Sequence, residues 1–82
     1  MVAIELTLLS RAYCHLCHDM EEALLPLAEE FGVSVVVLDV DADPALEARY
    51  DELVPVLLHG ETELCHYFLN EPKTREYLAG IR

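Results

Sequence analysis

The spacing of apolar positions along this 82-residue chain changes several times, and each change marks an element. Residues 2 to 9 alternate apolar and polar before ending in Leu8-Leu9, the pattern of a strand buried largely on both faces. The period then lengthens: Leu16, Met20, Ala23, Leu24, Leu27, Ala28 and Phe31 fall at three- and four-residue steps, one apolar stripe along a helix. Gly32 supplies its stop. Pro26 removes one donor from the helical ladder, so a kink is expected there. Residues 33 to 38, with four valines, read as the second strand.

Asp43 before Pro44 is an N-cap followed by proline at the first helical position, so a short helix should run from 44 to about 50. Residues 54 to 59 form the third strand. Gly60-Glu61 can make a two-residue hairpin turn into a fourth, 62 to 69, and Asn70 can cap a last helix carrying Tyr77, Leu78 and Ile81. The predicted order is β-α-β-α-β-β-α. Its opening βαβ unit makes the first two strands parallel with a right-handed crossover.

At this length the chain reads as one domain, residues 1 to 82, in which a small core must be efficient. The 54% apolar content supports that, and no linker, repeat or low-complexity tract interrupts it. The start lacks a basic region and is broken by Glu5, so it reads as a strand rather than a signal peptide. No apolar run approaches membrane-spanning length. Three cysteines, an odd number, suit a reducing cytoplasm better than a secreted disulfide scaffold. A net charge of −11 repels phosphate and anionic lipid, which excludes nucleic acid and membrane as expected partners. The acidic residues either keep the domain soluble or steer a basic partner.

The candidate chemistry sits in residues 11 to 20, where Cys14 and Cys17 alternate with His15 and His18. Such a cluster could be a redox disulfide, a metal site or a structural crosslink. A thiol at a helix N-terminus has its pKa lowered by unpaired N–H groups and becomes a nucleophile, whereas Asp19, Glu21 and Glu22 oppose the thiolate, so a moderate lowering is expected. Cys14 would lie at the first turn and Cys17 one turn deeper, under the stripe.

A C-x-x-C beside a βαβ pattern points to a thioredoxin-like redox motif. With Leu9-Ser10-Arg11-Ala12-Tyr13-Cys14-His15-Leu16-Cys17, Asp41-Ala42-Asp43-Pro44 through Arg49-Tyr50, and Val54-Pro55-Val56-Leu57, the chain resembles the glutaredoxins over nearly its whole length. It resembles more closely the small bacterial glutaredoxin-like proteins of unassigned function. The resemblance implies an α/β thioredoxin-like fold of the minimal glutaredoxin type, a four-stranded mixed sheet with helices on both faces. It also implies a cis Pro55 packed against the cysteines and an open strand edge at Val54 where an extended substrate can pair. Arg11 stands where glutaredoxins usually carry a lysine that helps hold glutathione, and a cation there would favour the Cys14 thiolate.

The chain departs from that family in having His15-Leu16 between the cysteines. It also carries Cys65 and His66 where, counting from Pro55, the family's paired glycines admit glutathione, so glutathione is a doubtful substrate and no cofactor is expected. The expected site is Cys14 and Cys17, with Arg11, Tyr13, Val54 and Pro55 contacting substrate and His15, His18, Cys65 and His66 as modulators. Tyr13 is expected to shield the site and Tyr67 to lie on the sheet surface, while Cys65 reads as a packed core thiol, with the alternative that the hairpin register sets it across from Val56, within reach of the cysteine pair. Three functions fit. The first is a thiol–disulfide oxidoreductase acting on protein or small-molecule disulfides, with Cys14 attacking, Cys17 resolving and an external reductant restoring the dithiol. The others are a metal or iron–sulfur module built on the recurring Cys-His pairs, and a catalytically silent interaction domain. The first is preferred, with no metal expected.

Overall fold

The opening alternation becomes β1, Glu5–Ser10, in the computed structural model, which describes residues 4–81. Residues 2 and 3 of the expected strand lie outside the described residues. Leu6, Leu8 and Leu9 are all fully buried, because β1 is an inner strand with packed side chains on both faces.

Helix α1, His15–Phe31, buries Cys17, Met20, Leu24, Leu27 and Ala28. Leu16 and Ala23 of the expected stripe are exposed instead. The stripe starts at Cys17, and residues 16 and 23 sit about 100° round the helix from 17 and 24. The helix continues through Pro26 and ends at Gly32, whose φ of 65° suits a residue without Cβ and whose N–H donates to the Ala28 carbonyl. Val33 N–H donates to the same carbonyl at 3.0 Å, so β2, Ser34–Asp39, begins one residue later than its valines suggested.

Strand β2 runs parallel to β1, from Glu5 opposite Ser34 to Ser10 opposite Asp39. A 3-10 turn, Val40–Ala42, follows and was not foreseen. Helix α2, Pro44–Tyr50, forms as the Asp43-Pro44 pair implied, the Asp43 carboxylate accepting from Ala45 N–H at 2.9 Å. Strand β3, Val56–His59, starts two residues later than expected because Pro55 has no N–H to give the ladder. It pairs antiparallel with β1. Strand β4, Thr62–His66, stops short of residue 69 because Tyr67 takes a left-handed φ of 64° and turns the chain out of the sheet. Helix α3, Glu71–Ile81, opens with Asn70 Oδ1 accepting from Lys73 N–H at 3.1 Å.

The four strands lie in the order β2-β1-β3-β4, a mixed sheet with helices on both faces. One face packs Leu6, Leu8 and Leu57 under Met20, Leu24 and Leu27 of α1 and Leu78 of α3. The other packs Leu9, Val56 and Leu58 against Val40 and Tyr50, with Leu46 beside them. Consecutive residues of β1 and β3 thus serve different cores, as the two-residue period of a strand requires. Among the described residues, no helix is long and apolar enough to cross a membrane.

The register of α1 predicts a sharp contrast between neighbours. Leu24 is 1% exposed and Leu25 is 56% exposed. Leu24→Ala should lower the unfolding free energy by about 2–5 kcal/mol in urea titration, and Leu25→Ala by no more than about 0.5 kcal/mol.

Candidate functional site

Strand β1 ends at Ser10, and the chain turns through Arg11, Ala12 and Tyr13 before α1 starts. Cys14 is the N-cap of that helix, with an extended backbone at φ −106° and ψ 108°. Its sulfur accepts the Cys17 N–H at 3.1 Å, and its carbonyl accepts the His18 N–H at 3.2 Å. Serine, threonine, aspartate or asparagine ordinarily fills this position, where a side-chain acceptor satisfies an N–H with no partner within the helix. Here a sulfur does so, and its anion would be the better acceptor. Cys14 and Cys17 are joined as a disulfide, with their Cα atoms 5.2 Å apart. Cys17 is 2% exposed at the head of the buried stripe, whereas Cys14 is half-buried.

Cys14 opens onto a shallow groove of about 430 Å³ lined by Ser10, Arg11, Tyr13, His15, His18 and Glu21. The two histidines are exposed, and His18 Nε2 meets Glu22 Oε1 at 3.2 Å, one helical turn along. Tyr13 does not shield the sulfur as expected: its backbone is left-handed at φ 61° and its ring stands fully in solvent. Arg11 borders the groove, but its donors go elsewhere. Nε donates to both Asp41 carboxylate oxygens at 3.0 and 3.2 Å, and Nη2 donates to Asp41 at 2.9 Å and also to Asp51. These bonds, to Asp41 first and Asp51 second, raise the guanidinium pKa above its ordinary value.

On the sheet side, the Val54–Pro55 peptide is cis, as the resemblance implied. Leu9 faces Val56, so the register carried onward sets Pro55 beside Ser10 and Val54 beside Arg11, where β1 runs out into the cysteine turn. Pro55 is buried and Val54 half-buried. The Pro55 carbonyl accepts Tyr67 N–H at 2.8 Å, and the Tyr67 hydroxyl donates to the Glu52 carbonyl at 2.8 Å. Tyr67 is exposed at the end of β4 and tethers the approach to Pro55.

Cys65 is not where an unbroken hairpin would put it. The register shifts between Leu57 and Leu58, so Glu63 faces Leu58 but Cys65 faces Leu57 and His66 faces Val56. A bulge at Leu64, which is buried, accounts for the extra residue. Cys65 packs against the core under α1 and lines a separate groove of about 380 Å³ with His66, Phe68, Asn70 and Lys73. His66 Nδ1 meets Glu63 Oε2 at 3.2 Å. Cys65 and His66 are absent from the lining of the Cys14 groove. Among the described residues, no three His, Cys, Asp or Glu side chains converge in a metal-binding group, so the recurring Cys-His pairs do not assemble one. Asp41 and Asp51 are the site-bordering residues that sequence reasoning missed. They stand 30 and 40 positions from Arg11, and no local spacing signals the contact.

Comparison with known proteins gives a consistent picture. The model of the glutaredoxin-like domain family (DUF836) matches residues 5–79. A protein of Nitrosomonas europaea solved by NMR in solution is 32% identical, with a TM-score of 0.82 over 94% of this chain and 93% of its own. An uncharacterised protein of Mycobacterium tuberculosis is 30% identical over 80 residues, covering 92% of this chain and 82% of that one. Thioredoxin 1 of Thermosipho africanus, 22% identical with a TM-score of 0.63, shares the fold over 95% of this chain and 97% of its own.

The different burial of the three cysteines predicts an order of labelling. After reduction, brief treatment with a thiol-alkylating agent near neutral pH should modify Cys14 first, half-buried Cys65 more slowly and Cys17 last, as read by peptide mass spectrometry. Labelling of Cys17 before Cys14 would reverse their roles.

Proposed function

The chain belongs to the glutaredoxin-like domain family, and from that premise we propose that it is a thiol–disulfide oxidoreductase working through Cys14 and Cys17. The observation that carries this reading is the Cys14 sulfur at the N-cap of α1, accepting the Cys17 N–H while Cys17 itself is buried one turn below. A thiolate there gains a hydrogen bond and the positive end of the helix dipole, and it faces the solvent through an open groove.

The reaction uses the two sulfurs and no bound cofactor. The Cys14 thiolate attacks one sulfur of a substrate disulfide, whose S–S bond breaks and releases one thiolate to take up a proton. The Cys17 sulfur, losing its proton, then attacks Cys14 and expels the second substrate thiol. The substrate is thereby reduced to two thiols and the protein oxidised to the disulfide. An external dithiol or thiol reductant restores the pair. A reducing cytoplasm suits this cycle, and an extended substrate segment would lie along the Val54 edge beside the sulfur. Such a substrate is a protein or small-molecule disulfide, not nucleic acid or a membrane surface.

The test separates attack from resolution. Cys17→Ser should still react and should accumulate a mixed disulfide with an oxidised target, because no second sulfur releases it. Cys14→Ser should abolish insulin-disulfide reduction and form no such adduct. A Cys14→Ser protein retaining activity would defeat the assignment.

Glutathione should be a poor partner: the resemblance sets Cys65 and His66 where glycines would admit its backbone, and the fold turns both into a groove separate from that of Cys14. Turnover of a glutathione mixed disulfide should be at least about tenfold slower than with an ordinary dithiol glutaredoxin.

A further inference from the structure

Among the described residues lining the Cys14 groove, Arg11 is the one permanent cation, and its hydrogen bonds are already committed to Asp41 and Asp51. The remaining fixed charges there are carboxylates: Glu21 lines the groove and Glu22 reaches His18. We propose, resting on the oxidoreductase reading, that Asp41 and Asp51 set the substrate class. By occupying Arg11 they leave the approach to Cys14 net negative, so the site takes disulfides whose cysteine is flanked by basic side chains and discriminates against acidic ones.

The physical argument concerns what an incoming carboxylate would meet. A free guanidinium binds a carboxylate through paired N–H donors, but Arg11 has spent that geometry on Asp41. An acidic substrate would have to displace an intramolecular carboxylate and approach Glu21 as well. A lysine or arginine beside the substrate sulfur meets attraction from the same groups, within the Debye length of about 8–10 Å that applies near physiological salt. The excess of 16 acidic over 5 basic residues in the whole chain adds a field of the same sign. Asp41 and Asp51 are thus positioning residues for Arg11, and their effect must appear as discrimination between charges rather than as a general loss of rate.

A matched control exists in the same molecule. Arg75 also pairs with two carboxylates, Glu30 through Nη1 and Glu71 through Nη2. Glu30 lies near the far end of α1, about 22 Å along the helix from His15, beyond the screening length.

The experiment uses three synthetic peptide disulfides, each a dimer of one short sequence whose single cysteine is flanked by Lys, Gln or Glu. Reduced protein is mixed with each, formation of the Cys14–Cys17 disulfide is timed, and every rate is divided by that peptide's rate with dithiothreitol. Near 0.1 M salt, where the Debye length is about 10 Å, the Lys peptide should react about tenfold faster than the Glu peptide, and near 1 M salt the two should agree within about twofold. Asp41→Asn with Asp51→Asn should cut the low-salt Lys-to-Glu ratio about tenfold, whereas Glu30→Gln with Glu71→Gln should leave it within about twofold. Should the double aspartate variant not fold, Asp51→Asn alone carries the test, with about a threefold fall in the ratio. Equal rates for the three wild-type reactions would overturn this proposal and leave the redox reading standing. So would aspartate variants that slow all three peptides alike or leave the ratio unchanged, or a shift of equal size in the glutamate control. A protein oxidised by none of the peptides would overturn both.

Discussion

The start of α1 depends on one hydrogen bond, from the Cys17 N–H to the Cys14 sulfur. A helix N-terminus needs an acceptor outside its own ladder, and this chain supplies it from the atom that would do the chemistry. Structure and reactivity then favour the same event, because a sulfur that ionises caps the helix better. The bond also sets the geometry of the pair. Cys14 is held in extended backbone at the end of the turn from β1, while Cys17, three residues on, falls on the stripe of α1 that is buried. One sulfur meets solvent and the other lies beneath it, which is the asymmetry that separate attacking and resolving roles require.

Around that bond the backbone departs from ordinary conformations at two tyrosines. Tyr13, immediately before Cys14, and Tyr67, whose N–H donates to the Pro55 carbonyl, both have positive φ. Bulky residues seldom adopt it, and such outliers concentrate at functional sites when the surrounding structure holds them in place. Here the holding contacts are visible for one of them: the Tyr67 hydroxyl and amide together tie the end of β4 to Glu52 and Pro55. One turn lies on the helix side, directly before Cys14, and the other on the sheet side, at the end of β4.

Most of this fold was legible in the order of residues, and the reasons are local. The Asp43-Pro44 cap, the Gly32 stop and the Gly60 turn are each decided within a few residues, and each appears where expected. The C-x-x-C after a strand marked the candidate site in the same way. What escaped depends on contacts distant in the chain. The bulge at Leu64 moves Cys65 from Val56 to Leu57, and it arises from pairing between strands rather than from any turn signal. The clamp on Arg11 joins residues from three segments, so its position beside Cys14 suggested a free cation that the fold does not leave free. Tyr13 stands in solvent instead of shielding the site, and the left-handed backbone it adopts has no signal in composition.

The role of Cys14 as nucleophile requires that its place at the helix N-terminus favour the sulfur as an anion. The direct measurement is a pH titration of thiolate ultraviolet absorbance in the reduced Cys17→Ser, Cys65→Ser protein, where Cys14 is the only thiol. A midpoint clearly below that of a free cysteine in the same buffer is predicted. A midpoint at or above the free-thiol value would mean that the hydrogen bond from residue 17 and the helix dipole do not outweigh Glu21 and its neighbouring carboxylates, and would contradict the claim that Cys14 is the nucleophile.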